Sequence, residues 1–504
     1  MPSVRRVFQV FSLVIFFLLF FFATYPLTRI PVDFFLRVDP LLSISASLAA
    51  RSFILKTIPA FVLLCMTFFL GRFFCGWICP FGTTIDGMDS VSNAKSRNDR
   101  FLRFRWIKFN VLIIVIVTSL LSVQLVGLVD PIPLFTRTVV TFMYPLFVLF
   151  TDGLFRFFMS FAFLEETAFR IHEGLRGVLL PIHITTFQNS IVVALIFLAI
   201  LNLTYVHKRF WCRNLCPLGA LLGLFSKMRM YRRLVTEECT QCGLCRKNCR
   251  MDAIEPDFKS TNNIECISCM DCQKICPVNA IQFGFVKKPE TTKVNLSRRR
   301  FLASGATGLL SLGILKIGFS NPKKNGYVIR PPGSLEEDKF LDRCVRCGEC
   351  IRVCSTAGAG LQYGGFESGF TGIWTPILLP ETGYCEYNCT MCGQVCPTGA
   401  IHPLTLEQKK EIKIGTAHFE KTRCIPWYYG ENCMVCEEHC PLPDKAIKFR
   451  ESNTIAMDGK ESSVLLPYVD ETLCIGCGIC VTRCPVEGDR GIFVTRANEE
   501  RWTG

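Results

Sequence analysis

Cys239, Cys242, Cys245 and Cys249 stand with two, two and three residues between them, and Cys266, Cys269, Cys272 and Cys276 repeat the pattern, with Pro277 directly after. Three thiolates so close can wrap one polynuclear centre through a tight loop. The fourth, at the start of the next helix, reaches the neighbouring centre. This spacing is that of paired [4Fe–4S] clusters, so Cys239, Cys242, Cys245 and Cys276 are assigned to one and Cys266, Cys269, Cys272 and Cys249 to the other. Arg250 stands where a proline usually follows the fourth cysteine, which weakens the turn and leaves the ligation intact. A zinc reading survives less well, since structural zinc favours two spaced pairs.

Four more quartets follow. Cys344, Cys347, Cys350, Cys354 and Cys474, Cys477, Cys480, Cys484 keep the compact spacing. Cys385, Cys389, Cys392, Cys396 and Cys424, Cys433, Cys436, Cys440 are looser, the last gaining an insertion with Trp427, Tyr428 and Tyr429. Several quartets run into apolar ends such as Ala280-Ile281-Gln282-Phe283, Ala400-Ile401 and Ala446-Ile447-Lys448-Phe449, which predicts one ββα-like unit used six times.

Two pairs differ from the quartets. Cys75 and Cys79 lie in Phe-Cys-Gly-Trp-Ile-Cys-Pro-Phe-Gly, and Cys212 and Cys216 lie in Trp-Cys-Arg-Asn-Leu-Cys-Pro-Leu-Gly. On a helix this spacing puts two thiols on one face, a turn apart. Four such thiols can hold a cluster or another metal, or do dithiol redox chemistry; alternatively the motifs only end helices. Their recurrence predicts an internal two-fold repeat. Together the quartets and pairs use all of the 29 cysteines except Cys65, a small apolar residue within a hydrophobic run. A disulfide scaffold is excluded, because such scaffolds are small and lack a core.

The elements that must position these thiols differ along the chain. Of 504 residues 50% are hydrophobic and 44 are Phe, concentrated before residue 207, while the text from Cys239 onward is polar and basic. About 20 apolar residues cross a bilayer core. Val7–Leu27, Phe53–Leu70, Phe109–Val129 and Phe187–Val206 therefore read as four spans, the first as an anchor and not a removed signal. Thr138–Leu164 reads as interfacial or re-entrant, because spanning places Asp152 and Arg156 near mid-membrane at roughly 2.5–3.5 kcal/mol each. Lys and Arg cluster before the first span, after the second and after the fourth, which puts those ends and both Cys-x3-Cys-Pro pairs on the cytoplasmic side. The net charge of +14 is thus a topology signal and not a nucleic-acid one.

The combination resembles two protein families joined in one chain. Residues 1–290 resemble the NapH/MauN membrane ferredoxin-type proteins, with a helical domain to 236 and a two-cluster domain over 237–290. Residues 321–504 resemble the NapG/MauM four-cluster ferredoxin-type proteins, with a linking segment over 291–320. In that segment Leu296-Ser297-Arg298-Arg299-Arg300-Phe301-Leu302 resembles a twin-arginine export signal, and the apolar stretch to Phe319 is either cleaved or kept as a fifth span. The fold class expected is a membrane α-helical domain of four spans, with a fifth if that stretch is retained, plus α+β bacterial-ferredoxin-like modules.

The resemblance implies six [4Fe–4S] clusters and menaquinol oxidation at the cytoplasmic membrane. It also implies a cytoplasmic two-cluster module, and an extracytoplasmic four-cluster module feeding a periplasmic c-type cytochrome or terminal reductase. It further implies nested ligation: Cys344, Cys347, Cys350 with Cys484; Cys474, Cys477, Cys480 with Cys354; Cys385, Cys389, Cys392 with Cys440; and Cys424, Cys433, Cys436 with Cys396. Alternatives are an accessory redox factor that services a metalloenzyme, and an electron wire with both modules on one side. His172 and His183, as haem or quinone partners, and Arg72, Asp130 and Arg137, as quinone hydrogen-bonders, are further candidates. No phosphate-cradling glycine motif is present, and no NAD or FAD domain is expected.

Overall fold

An apolar chain satisfies its backbone groups internally as helix, and the Phe/Leu/Ile/Val runs do so here. In the computed structural model, which describes residues 2–27, 30–92, 104–161, 163–175, 187–286, 298–316, 326–455 and 461–503, they form a helical bundle. Its long members are Pro2–Phe22, Ile58–Leu70, Ile107–Leu120 and Ser190–Val206. Among the described residues, Val4–Phe22 and Pro131–Met159 are long and apolar enough to cross a membrane; Leu55–Leu70, Ile107–Leu120 and Ser190–Val206 are shorter.

Two expected spans are cut short. Pro2–Phe22 stops ahead of Pro26. The run expected to continue to Val129 ends at Leu120, and Ser122 takes φ +57. The reason is polar: Ser119 Oγ lies 2.6 Å from Ser45 Oγ, which also donates to Gln124 Oε1 at 2.7 Å, tying this turn to helix Pro40–Ala50. The segment read as Thr138–Leu164 differs too. One continuous helix runs Pro131–Met159, with Pro131 and Pro133 in its first turn, where a missing N–H costs nothing. That first turn starts inside the bundle, Phe135 packing on Phe16, Phe81 and Phe197 at centroid distances of 5.1, 5.9 and 6.3 Å.

The bundle is built twice. Each half carries Val-Asp-Pro, Val38-Asp39-Pro40 and Val129-Asp130-Pro131, whose aspartates cap Pro40–Ala50 and Pro131–Thr138. Each then carries an apolar helix and an Arg-Phe-aromatic-Cys motif beginning at Arg72 or Arg209. The halves exchange partners: Pro217–Phe225 packs on Pro40–Ala50, and Pro80–Val91 packs on Pro131–Thr138.

The cysteine-rich modules dock at opposite ends of the bundle. At one end Arg5 meets Asp271, and Arg72 and Lys108 meet Glu265. At the other, Lys56 Nζ donates to Cys396 O at 3.1 Å, Arg343 to Ser52 Oγ at 3.2 Å, and Arg346 to Gln124 O. Arg352 lies over the rings of Phe20 and Tyr144 at 4.5 and 4.3 Å. Helix Arg298–Lys316 runs along Ile107–Leu120, its Gly308 facing Val117, and touches Gly369–Gly372 of the C-terminal module. Leu296, Ser297 and 317–319 lie outside the described residues.

Short two-stranded antiparallel sheets brace the modules: Tyr231–Val235 with Ile281–Phe285, Leu361–Tyr363 with Pro376–Leu378, Thr416–Phe419 with Ile492–Thr495, and Ile447–Ile455 with Glu461–Val469. Two of the three apolar tails named above become strands. Ala400-Ile401 does not, forming only a bridge to Ser334, with Pro403 close behind.

Candidate functional site

The compact quartets turn left-handed between their second and third cysteines. Gly243, Gly348 and Gly478 take φ +75, +90 and +82 there, starting short helices that carry the third thiol. Glycine has no Cβ to oppose that conformation. At Gly348 a Cβ would also lie 1.7 Å from the Tyr363 hydroxyl.

Which thiols meet is then a matter of packing. Cys344, Cys347 and Cys350 share electrostatic neighbourhood with Cys396, and all four line one cavity. Cys354 joins Cys385, Cys389 and Cys392 around a second, walled by Val353, Leu361, Met391 and Ile414. Cys424 and Cys436 face Cys433 and Cys484, and Cys474, Cys477 and Cys480 face Cys440. This corrects the nested expectation. Quartets adjacent in sequence exchange their fourth thiols because helix Glu349–Cys354 packs on Met391–Gln394, and Val435–Glu438 on Ile479–Arg483. In the first module Cys249 faces Cys266, Cys269 and Cys272. Cys245, Cys249, Cys272 and Cys276 pack on one apolar cluster with Ile254 and Ile281.

Burial pushes Cys344 and Cys424 up to about 11. Iron, as a bound cation, reverses that preference and draws out the thiolate. Among the described residues no three metal-ligating side chains converge as a single ion requires. A tetrahedral zinc site would draw sulfurs to about 3.8 Å of one another. Four thiols spread around an apolar cavity fit a polynuclear cluster instead.

The sets form a line through the C-terminal module. Cys350 neighbours Cys392, Cys477 neighbours Cys385 with Cys385 N donating to Cys477 O at 2.8 Å, and Cys480 neighbours Cys436. At its far end Tyr428 and Tyr429 are exposed.

The Cys-x3-Cys-Pro thiols occupy the bundle between the modules. The expected single helix face is not found: helices Phe73–Trp77 and Phe210–Asn214 end first. Cys79 and Cys216 instead precede a proline, take extended ψ of 115° and 111°, and cap the next helices, with Sγ accepting from Gly82 N at 3.3 Å and Gly219 N at 3.2 Å. The four thiols are electrostatic neighbours across the repeat. Arg209 reaches into the other half, donating to Cys75 O at 2.9 Å and Gly82 O at 3.3 Å and pairing with Asp86 at 2.6 Å. Arg72 packs against Gly219 and donates to Ile264 O at 3.0 Å.

Glycines bring both modules close. The Ile267 carbonyl, next to Cys266, lies 2.5 Å from where a Cβ of Gly76 would stand, and the Val345 carbonyl, next to Cys344, lies 1.8 Å from that of Gly127. Trp77 Nε1 donates to Ser268 O at 3.0 Å. The two-cluster module thus docks beside the first Cys-x3-Cys-Pro pair, and the C-terminal module docks at Gly127.

The remaining candidates are placed as follows. Arg137 donates to Gly127 O and Arg346 O at 3.0 and 3.3 Å and lies over Trp374 at 4.3 Å, so it joins the bundle to the C-terminal module. Asp130 is wholly buried, facing Asp39. His172 bonds Asp152 at 2.8 Å and packs on Phe155. His183 lies outside the described residues. Cys65 faces away from the bundle. Sequence reading missed Asp39, Asp86, Arg209 and Glu265. The repeated Val-Asp-Pro and Arg-Phe-aromatic-Cys patterns pointed to Asp39 and Arg209; no pattern marks the other two.

Thiol quartets on left-handed turns, paired by exchanged fourth thiols and strung in a line, define an iron–sulfur electron-transfer protein of multi-cluster ferredoxin type. Comparison with known proteins agrees. Models described as 4Fe-4S binding domains match residues 57–98 and 190–235, the two halves with the Cys-x3-Cys-Pro pairs, and also 236–252, 341–357 and 266–280. A 4Fe-4S dicluster domain matches 430–487. Relatives include the methylamine utilization ferredoxin-type protein MauM of Methylorubrum extorquens, 33% identical over 195 residues, which are 37% of this chain and 84% of that one. The ferredoxin-type protein NapG of Escherichia coli is 32% identical over 211 residues, 39% of this chain and 85% of its own. NapF of Escherichia coli is 30% identical over 166 residues, 32% and 84% of the two chains. No solved structure matches. The chain belongs to the MauM/NapG family of ferredoxin-type proteins.

Proposed function

We propose that the chain is a membrane-embedded quinol dehydrogenase module, in which the bundle oxidises menaquinol and the C-terminal module delivers electrons to a periplasmic c-type cytochrome or terminal reductase. The observation that carries this reading is the position of Cys75, Cys79, Cys212 and Cys216 between thiol sets docked at opposite ends of an apolar bundle. The helices Pro2–Phe22, Leu55–Leu70, Ile107–Leu120 and Ser190–Val206 serve as four spans and Arg298–Lys316 as a retained fifth, with the two-cluster module cytoplasmic. Six clusters fill the six thiol sets: Cys239, Cys242, Cys245, Cys276; Cys266, Cys269, Cys272, Cys249; and the four C-terminal sets in their adjacent pairing. The clusters supply one-electron chemistry over a wide range of potential. The chain holds them in order and excludes water, with Arg72 and Arg209 neutralising charge near the membrane thiols.

The test is anaerobic addition of a soluble menaquinol to the full chain in lipid nanodiscs, followed by paramagnetic resonance of the clusters. Reduction supports the reading. Clusters that dithionite reduces and menaquinol does not would move the assignment to an accessory redox factor.

A further inference from the structure

The glycine that turns each compact quartet between its second and third thiols meets a different neighbour in each. A Cβ at Gly243 would lie 3.4 Å from the Phe258 ring, and one at Gly478 would lie 2.9 Å from Pro380. At Gly348 it would lie 1.7 Å from a hydroxyl, that of Tyr363. Two of the turns are thus backed by an apolar group and the third by a hydrogen-bond donor.

That donor is buried and unspent. Tyr363 is 1% exposed, and its Oη has no hydrogen-bond partner among the described residues. Burying a hydroxyl without an acceptor is costly, so such an orphan points to a partner outside the chain. Tyr363 lines the same cavity as Cys344, Cys347, Cys350 and Cys396, held there by the pairing of Leu361–Tyr363 with Pro376–Leu378. Thr398 lines it too, with Oγ1 3.9 Å from Cys396 Sγ. The next cavity along, around Cys354, Cys385, Cys389 and Cys392, is lined by no hydroxyl among the described residues. Burial pushes the Tyr363 hydroxyl well above its ordinary range, so it keeps its proton.

We propose that Tyr363 donates its hydroxyl to a sulfur of the [4Fe–4S] cluster held by Cys344, Cys347, Cys350 and Cys396, and so raises the potential of that cluster. A reduced cluster carries one more negative charge than an oxidised one, and a donor aimed at its sulfur favours the reduced form. The O–H bond stays intact in both states, and only an electron is exchanged. This thiol set docks against the bundle, Val345 meeting Gly127, so Tyr363 tunes the centre nearest the bundle in the C-terminal module. The proposal rests on the cluster reading of that set.

The test is Tyr363→Phe, which removes the hydroxyl and keeps the ring, in the full chain in nanodiscs. The signal of this cluster is picked out by its change in Cys396→Ser. In an anaerobic titration with dithionite and mediators, followed by paramagnetic resonance, the variant should shift its redox equilibrium about tenfold toward the oxidised form, 59 mV for one electron. The other clusters should not move. Electron–nuclear double resonance of the reduced natural chain should show a coupled, solvent-exchangeable proton that the variant lacks. An equilibrium within twofold of the natural one, or no such proton in the natural chain, overturns the proposal alone. Loss of the cluster from Tyr363→Phe overturns it too, because a tuning hydroxyl is dispensable for assembly. A natural chain with no iron at this set overturns the cluster reading as well.

Discussion

Replacing Glu265 by Gln tests the account of how the two-cluster module is held. Both Glu265 oxygens lie 2.6 Å from Lys108 Nζ, and Oε2 lies 3.4 Å from Arg72, with all three side chains buried. Burial alone would raise this carboxyl, but Lys108, Arg105 and Arg72 outweigh it and bring it down to about 2. Against an ordinary value near 4.5, at about 1.4 kcal/mol for each tenfold change in acidity, that is roughly 3–4 kcal/mol of docking stability. Removing one partner of a buried pair costs about 3–5 kcal/mol because the other charge stays behind. The sign follows: a depressed carboxylate stabilises fully above its unfolded value, so docking holds above about pH 4.5 and is lost as pH falls toward 2. Hydrogen exchange at residues 262–270 reads the undocking. E265Q should raise exchange there by on the order of a hundredfold, and the double variant with Lys108→Met should recover most of it. An E265Q chain within about twofold of the natural one would refute the reasoning.

Further outcomes follow from the same geometry. Cys396→Ser should disturb the cluster at Cys344, Cys347 and Cys350 and spare that at Cys424, Cys433 and Cys436, whereas nested ligation reverses the two; Mössbauer spectra of the variant decide. Gly127→Ala should loosen the C-terminal module, since the new methyl meets the Val345 carbonyl, read as faster proteolysis of that module. Alkaline phosphatase fused after residue 325 should be active, and fused after residue 290 silent; the opposite pattern contradicts the crossing of Arg298–Lys316. Iron analysis should give about 24 atoms per chain, with any clear excess placed at the membrane thiols.

Cysteine spacing carried most of the site in the sequence, because a cluster needs its thiolates on one short loop and that need is local. The fourth ligands are not local: helix packing between neighbouring quartets decides them, and the nested expectation failed there. Span lengths overshot because Ser119, Ser122 and Gln124 look tolerable in an apolar run yet serve as hydrogen-bonding contacts between helices. Asp130 read as a quinone hydrogen-bonder near a membrane boundary. Its cap on Pro131–Thr138 matches that of Asp39 on Pro40–Ala50, 91 residues earlier.

The most direct test of the central claim replaces Cys75, Cys79, Cys212 and Cys216 together by Ser and measures cluster reduction by menaquinol in nanodiscs. The account predicts that both modules keep their iron and remain reducible by dithionite, while reduction by menaquinol is lost. Menaquinol reduction at the natural rate in that variant would contradict it.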